Sequence, residues 1–490
     1  MSRRTFAIAA AWSALVALAA CDPAPETAQP EAPLRNVLLV TVDTLRADYI
    51  HAYGFPLENT PQIDALAARG VLFENALAAA SATAPSHATI MTSRYPREHS
   101  IGAVNGGSRL EGGETLAERF RASGYDTAAF VGNFVLRPRI GLDRGFALYD
   151  AELPTRELNR ERFFERDAEA TTLRAIDWLR NPRPDGAPFF LWVQYQDPHG
   201  PYTPPSSYLE SFPEVAGARA RPLAPLDGNS GVGGIPRYQK LEGVDRVSEY
   251  LDRYAAEIAY ADHWIGRLLE AAEQEGAERG TVILLTADHG ESLGENGFYF
   301  QHGHATTPEL ARSPFVLVAP GLAPARRREA VHHVDVTPTL LELAGLPVPV
   351  DASGLALAPF LASSQPIPER VLFCDIGRET SAYAGDTFLR IRGSPKLWGD
   401  WAAGRSDAPG GPPESLLVVD AYRRQSPEDG WTEVEPEARL LEAAKAYLMK
   451  AVPIVQVAEP TEEDKARLRA LGYLPPEPED PRPQAGRPGG

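Results

Sequence analysis

The chain has 490 residues, 43% of them hydrophobic and 23% charged, which allows a large core and excludes a fibrous or globally disordered protein. Its formal net charge of −18 argues against nucleic acid or an anionic bilayer surface as the main partner. An anionic substrate has to be drawn in by a local charge such as a bound cation, because the field of the whole protein repels it.

Read in chain order, Arg3 and Arg4, the apolar stretch from Phe6 to Ala20 and then Cys21 form a secretory leader, too short to span a membrane. Leu18-Ala19-Ala20-Cys21 resembles a bacterial lipobox, so residues 1–21 are expected to be a lipoprotein signal peptide. Cys21 would then be lipidated and hold the protein on the periplasmic face of a membrane. With Cys374 as the second of two cysteines, no internal disulfide is expected. Residues 22–33, rich in Pro, Ala and Glu, read as a flexible tether. Apolar runs suited to buried parallel strands follow at Val37 to Val42, Thr127 to Val131, Phe189 to Val193, Val282 to Leu285 and Phe315 to Val318. Helical patterns lie between them at Thr60 to Ala68, Glu114 to Ser123 and Val247 to Glu275. The alternation predicts a doubly wound α/β domain with a mostly parallel sheet over residues 34–362. Pro213 to Gly234 reads as a surface insertion. A smaller C-terminal α+β subdomain is expected over 363–474, with candidate strands at Val371 to Cys374, Thr387 to Ile391 and Leu416 to Val419. The Pro- and Gly-rich segment 475–490 should be disordered.

Three of the strand runs end in acidic groups, namely Asp43, Asp197 and the pair Asp288-His289. Each aspartate alone is an ordinary cap or turn residue. In an open α/β sheet, however, ligands sit at the carboxyl ends of strands, so three such ends with one adjacent imidazole point to a metal site. Thr83-Ala84-Pro85-Ser86-His87 precedes a helical run, which places the Thr83 hydroxyl near a helix N-terminus, where free amides stabilise negative charge. Read alone, it is a capping threonine. His302 and His304 follow a glycine-rich turn and either bind substrate or complete a second metal site with Asp197. The adjacent His332 and His333 read as a solvated pair at a strand edge, and Asp262 and His263 as polar-face residues of the long helix.

The stretch Asn36-Val37-Leu38-Leu39-Val40-Thr41-Val42-Asp43-Thr44-Leu45-Arg46-Ala47-Asp48 resembles the first motif of sulfatases, and Ala84 to Pro96 resembles the segment that carries their nucleophile. Asp197-Pro198-His199-Gly200-Pro201-Tyr202, Thr286 to Gly294, Val334 to Leu341 and Leu468 to Leu474 are similar to further motifs of that family. The resemblance runs from Asn36 to about Leu361 and implies the alkaline-phosphatase and sulfatase fold, with Asp43, Thr83, Asp288 and His289 around one divalent cation. An imidazole ligand favours Zn or Mn, with Ca or Mg as alternatives. It further implies Thr83 as nucleophile, His199 as the group that protonates the leaving oxygen, and Asn133, His87 and His304 as substrate-binding residues.

The departures from the family pattern bear on the chemistry. Sulfatases carry Cys or Ser at the position of Thr83 and oxidise it to formylglycine, which threonine cannot form because its β-carbon bears a methyl group. His87 replaces the family's basic residue, Thr44 its second aspartate and Asn133 its lysine, and Gly303 stands where a lysine precedes the histidine. These changes resemble the phosphoryl-transfer relatives, in which a threonine hydroxyl beside a metal attacks phosphorus. The expected activity is metal-dependent hydrolysis of a phosphate or sulfate ester of a small molecule, glycan or lipid, with the phosphoester favoured. A sulfatase proper, a transferase of phospho-alcohol groups and a non-catalytic binding homologue are the alternatives.

Overall fold

Strands buried on both faces send alternate side chains into two packing layers. In β1 (Asn36–Val42), Leu38, Val40 and Val42 enter one core cluster while Val37 and Leu39 enter the other. The first cluster takes in side chains of α1 (Pro61–Ala68); β2 (Val71–Leu77) and α2 (Thr83–Thr92) contribute to the second. The chain continues through α3 (Pro96–His99), α4 (Leu116–Ala122), β3 (Asp126–Val131) and β4 (Leu148–Asp150) to a small antiparallel hairpin of β5 (Thr155–Arg156) and β6 (Phe164–Glu165). After it come α5 (Ala168–Arg180), β7 (Phe189–Tyr195), α6 (Ser206–Ser211), α7 (Val247–Glu275) and β8 (Thr281–Ala287). A second small pair, β9 (Ser292–Leu293) and β10 (Tyr299–Gln301), leads to α8 (Pro308–Ala311), β11 (Arg312–Ser313), β12 (Phe315–Val318), β13 (Ala325–His332), α9 (Val336–Leu343) and α10 (Ala358–Ala362).

This computed structural model describes residues 34–102, 109–211, 222–363, 365–393, 417–424 and 430–448. The leader with Cys21, the tether, much of the expected insertion, the motif from Leu468 to Leu474 and the tail lie outside the described residues. Nine strands form one sheet in the order β11, β2, β12, β8, β1, β7, β3, β4, with β13 paired to β2. The central neighbours β8, β1, β7 and β3 are all parallel, whereas β12 runs antiparallel to β8 and β2. Helices α1, α5 and α7 cover one face and α2, α4 and α9 the other. Each fully buried aliphatic or aromatic side chain in these layers stabilises the fold by roughly 1.5–3 kcal/mol. Among the described residues no helix is long and apolar enough to cross a membrane.

The C-terminal strands expected from sequence are present and belong to a five-stranded antiparallel sheet: β14 (Leu372–Asp375), β15 (Glu379–Ala384), β16 (Thr387–Gly393), β17 (Leu417–Arg423) and β18 (Thr432–Val434). A helix, α11 (Ala438–Leu448), packs Leu440, Ala444 and Leu448 on it. The described residues, which begin at Leu34, cluster as one compact unit.

Two expectations are corrected here. His332 and His333 are fully buried rather than solvated, because β13 ends beneath the C-terminal sheet. There the His332 ring caps Val334 N–H through Nδ1 and lies 3.0 Å from the Phe373 carbonyl through Nε2. Asp262 is likewise buried, at 1% exposure, whereas His263 is exposed as expected. The Asp262 carboxylate accepts the backbone N–H groups of Gln62 and Ile63 at 3.0 and 2.8 Å and so satisfies the first turn of α1, which has no side-chain cap of its own. Asp262→Ala should therefore cost about 1–3 kcal/mol in a denaturant melt; a change inside the noise would mean the two amides are satisfied by water.

Candidate active site

The carboxyl ends of the four central strands meet at one point. Asp43 follows β1, Asp288 and His289 follow β8, Asn133 lies just beyond β3, and Gln194 near the end of β7 faces the same spot. Topology thus brings together residues as far apart as 43 and 289, as an open parallel sheet does at its ligand edge.

The two aspartates are fully buried, and each has one oxygen bound and one without a partner. Asp43 Oδ2 accepts from Asn133 Nδ2 at 2.6 Å and Gln194 Nε2 at 3.3 Å, while its Oδ1 has no hydrogen-bond partner. Asp288 Oδ1 accepts the backbone N–H groups of Thr44 and His289 at 3.2 and 2.8 Å, while its Oδ2 has none. Thr44 is a β-branched residue at φ 53°, a left-handed conformation that costs roughly 1–3 kcal/mol. It directs its amide at Asp288.

The His289 ring donates from Nδ1 to the Gly290 carbonyl at 2.9 Å, so in the neutral ring Nε2 carries a bare lone pair. That nitrogen lies 3.4 Å from Asp288 Oδ2, 4.0 Å from Asp43 Oδ1 and 3.4 Å from Thr83 Oγ1. Burial pushes Asp43 well above the ordinary carboxylate range, with Asp288 adding to the effect, and pushes Asp288 up to about 8. Burial also lowers His289 to about 4. Unpaired anions are not stable in such surroundings. Within the described residues, Asp43, Asp288 and His289 form the cluster in which one ligand atom from each lies within 4.8 Å of the others. Two orphaned carboxylate oxygens and an oriented imidazole fit a divalent cation.

Thr83 is the first residue of α2 and the cap position belongs to Ala82, so Thr83 is not the ordinary capping threonine that its sequence context allows. Its hydroxyl faces His289 and lines a pocket with Asn133, Gln196, His199 and His302. The remaining wall combines Glu157, Arg160, Phe163 and Phe164 of the hairpin with Phe134, Val135, Tyr238 and Gln301 from other segments.

The other expected site residues divide. Asn133 lines the pocket, but its side chain is engaged on Asp43 and, through Oδ1, on the amide of Val135 at 2.7 Å. His87 lies one turn below Thr83, donating from Nδ1 to the Thr83 carbonyl at 2.8 Å, with Nε2 3.0 Å from Thr41 Oγ1. Burial lowers it to about 3; it braces α2 as a neutral ring and does not line the pocket. His304 stacks on Phe298 with ring centroids 3.9 Å apart, and the pocket is lined by His302 instead. Rings of His289, His302 and His199 form a row with centroid spacings of 4.6 and 5.1 Å. His199 donates from Nδ1 to the Gly200 carbonyl at 2.8 Å, and burial holds it well below the usual imidazole range. Its Nε2 is thus an acceptor at neutral pH, not a proton donor.

Sequence reasoning missed Gln194 and Glu291. Gln194 Oε1 accepts the amides of Gly132 and Asn133 at 2.9 and 3.1 Å, tying β3 to the ligand edge. Its signal was a polar side chain inside an otherwise apolar strand. Glu291, fully buried, lies 3.3 Å from both Tyr202 Oη and His302 Nδ1, and burial pushes it up to about 8.

A family profile described as Sulfatase matches residues 35–346. Among curated proteins the chain is 28% identical to human iduronate 2-sulfatase over 386 residues, covering 64% of this chain and 70% of that protein. It is 26% identical to an arylsulfatase of Clostridium perfringens over 378 residues, covering 66% and 77%. Among solved structures it resembles a phosphonate monoester hydrolase of Agrobacterium radiobacter with a TM-score of 0.61 at 20% identity, covering 90% of this chain and 96% of that one.

The raised carboxylates give a pH prediction. Asp288 sits at about 8 in the folded protein without cation, against about 3.9 when unfolded, so its contribution to stability is full at low pH and is lost as pH rises through the folded value. A bound cation removes that penalty. Calorimetry should show the gap in Tm between metal-loaded and chelator-treated protein widening from pH 5 to pH 8, and Asp288→Asn should reduce the widening, Asp43 keeping the rest. A gap independent of pH would count against the ligand assignment.

Proposed function

The chain belongs to the sulfatase family and is an ester hydrolase, and we propose that it acts through attack of the Thr83 hydroxyl on the central atom of the ester, with phosphorus favoured over sulfur. The observation that carries this reading is the place of Thr83. Its Oγ1 stands at the N-terminus of α2, 3.4 Å from His289 Nε2, and lines the pocket.

Asp43, Asp288 and His289 would hold one divalent cation, Zn or Mn by donor type, which supplies the charge that favours an ionised hydroxyl and offsets charge on the transferring group. Asn133 and Gln194 fix the rotamer of Asp43, and the amides of Thr44 and His289 fix that of Asp288. The N-terminal end of the α2 dipole, at Thr83, favours negative charge on the group under attack. Thr83 Oγ1 gives up its proton and bonds to phosphorus as the bond from phosphorus to the ester oxygen breaks, and that oxygen leaves as the alcohol with the proton Thr83 released; water then attacks phosphorus, the Oγ1–P bond breaks, one proton of the water returns to Thr83 Oγ1 and inorganic phosphate departs. His199, with a bare Nε2, suits the role of accepting a proton from that water better than the expected role of protonating the leaving oxygen.

Phosphorus is favoured because threonine cannot yield the aldehyde on which sulfatases depend. The fold relatives include phosphonate monoester hydrolases of Agrobacterium radiobacter and Silicibacter pomeroyi, which fits this preference, whereas the curated relatives named above are sulfatases. The leader ending at Cys21 would put the reaction on the outer side of a membrane.

Metal-stripped protein reloaded with Zn, Mn, Mg or Ca should hydrolyse a nitrophenyl phosphate ester faster than the matched sulfate. Thr83→Ala should lower kcat at least about 10³-fold with metal content kept, and Thr83→Ser should retain part of it. Preference for the sulfate would overturn the phosphorus assignment, and an active Thr83→Ala protein would overturn the nucleophile.

A further inference from the structure

Arg160 and Phe163 wall the Thr83 pocket on one side and open on the other onto a second, adjoining groove, lined also by Asn159, Glu161, Arg162, Arg237 and Lys240. Four of these seven residues are basic and one is acidic, in a chain whose net charge is −18. The groove beside the candidate active site therefore carries a local excess of basic side chains.

The groove is built rather than incidental. Asn159 Nδ2 donates to the carbonyls of Tyr238 and Lys240 at 2.8 and 2.7 Å, which locks the hairpin tip to the segment carrying Arg237 and Lys240. Arg160 is ion-paired with Glu157 and held over the rings of Phe163 and Tyr238, 4.7 and 4.8 Å from their centroids. Its charge is thus fixed at the junction of the two cavities. Arg162, Arg237 and Lys240 are exposed, and none of them has a carboxylate of the described residues within ion-pair distance. Like charges gathered in one groove repel one another, and an anion between them would relieve that repulsion. In the inner pocket, by contrast, Arg160 is the single Lys or Arg of the lining.

We propose that this groove receives a second anionic group of the substrate, so that the natural substrate is a polyanion bearing at least one further sulfate, phosphate or carboxylate beyond the ester cleaved at Thr83. The inference rests on the Thr83 reading for the place of cleavage, but not for the groove's affinity. The probes are a heparin-derived tetrasaccharide and inorganic tripolyphosphate, each titrated calorimetrically into full-length Thr83→Ala protein and into the same protein also carrying Arg162→Ala, Arg237→Ala and Lys240→Ala.

At least one polyanion should bind the first protein, and binding should weaken at least about 10-fold in the second and with rising salt. Restoring charge with Arg162→Lys, Arg237→Lys and Lys240→Arg should recover most of the affinity. Which of the two probes binds tells a sulfated carbohydrate from a phosphate compound. Equal affinity for both proteins, or no binding of either probe, overturns the groove. Failure of the Thr83 reading would appear separately, as ester hydrolysis by the Thr83→Ala protein.

Discussion

Two carboxylates buried side by side at the ends of adjacent strands set the terms for the whole molecule. Asp43 and Asp288 are both fully buried, in surroundings where a pair of unpaired anions is costly. The fold meets the difficulty by half-satisfying each group. One oxygen of each is tied to amides or side-chain N–H groups, and the other is left for a positive ion. Thr44, held at a left-handed φ, and Asn133, at the end of a different strand, are the structural consequences of that arrangement.

The parallel arrangement of β8, β1, β7 and β3 makes the convergence possible, because each strand delivers its next residue to the same edge. Helix α2 then adds the Thr83 hydroxyl from outside the strand set. His87, buried and neutral against Thr41 and the Thr83 carbonyl, connects α2 to β1, so the hydroxyl and the ligand edge are positioned by one network. Trp192 Nε1 donates to the same Thr41 hydroxyl at 2.9 Å, extending the network to β7.

Much of this was legible in the amino-acid sequence, and the losses have physical causes. Runs such as Phe189 to Val193 and the helix Val247–Glu275 were readable because burial demands continuous or periodic apolarity. Strand β13 was missed because its first residues, Ala-Arg-Arg-Arg-Glu, are polar and largely exposed where it pairs at the sheet margin. Strand ends pointed to Asp43, Asp288 and His289 but equally to Asp197, which does not join their cluster among the described residues. Gln194 and Glu291 were missed, since nothing in a linear sequence says which buried polar group supports a ligand. The errors at Asp262 and His332 share a cause. Helical and strand periodicity reports the face of one element, whereas burial depends on what a distant element lays over it.

The residues that shape the pocket wall and its adjoining groove, from Glu157 to Phe163, hang between β5 and β6, a two-residue-by-two-residue hairpin outside the nine-stranded sheet. Such a tip tolerates change far better than a buried strand. A change in this single short excursion of the chain can therefore redraw the pocket wall while the sheet edge that carries Asp43 and Asp288 keeps its form.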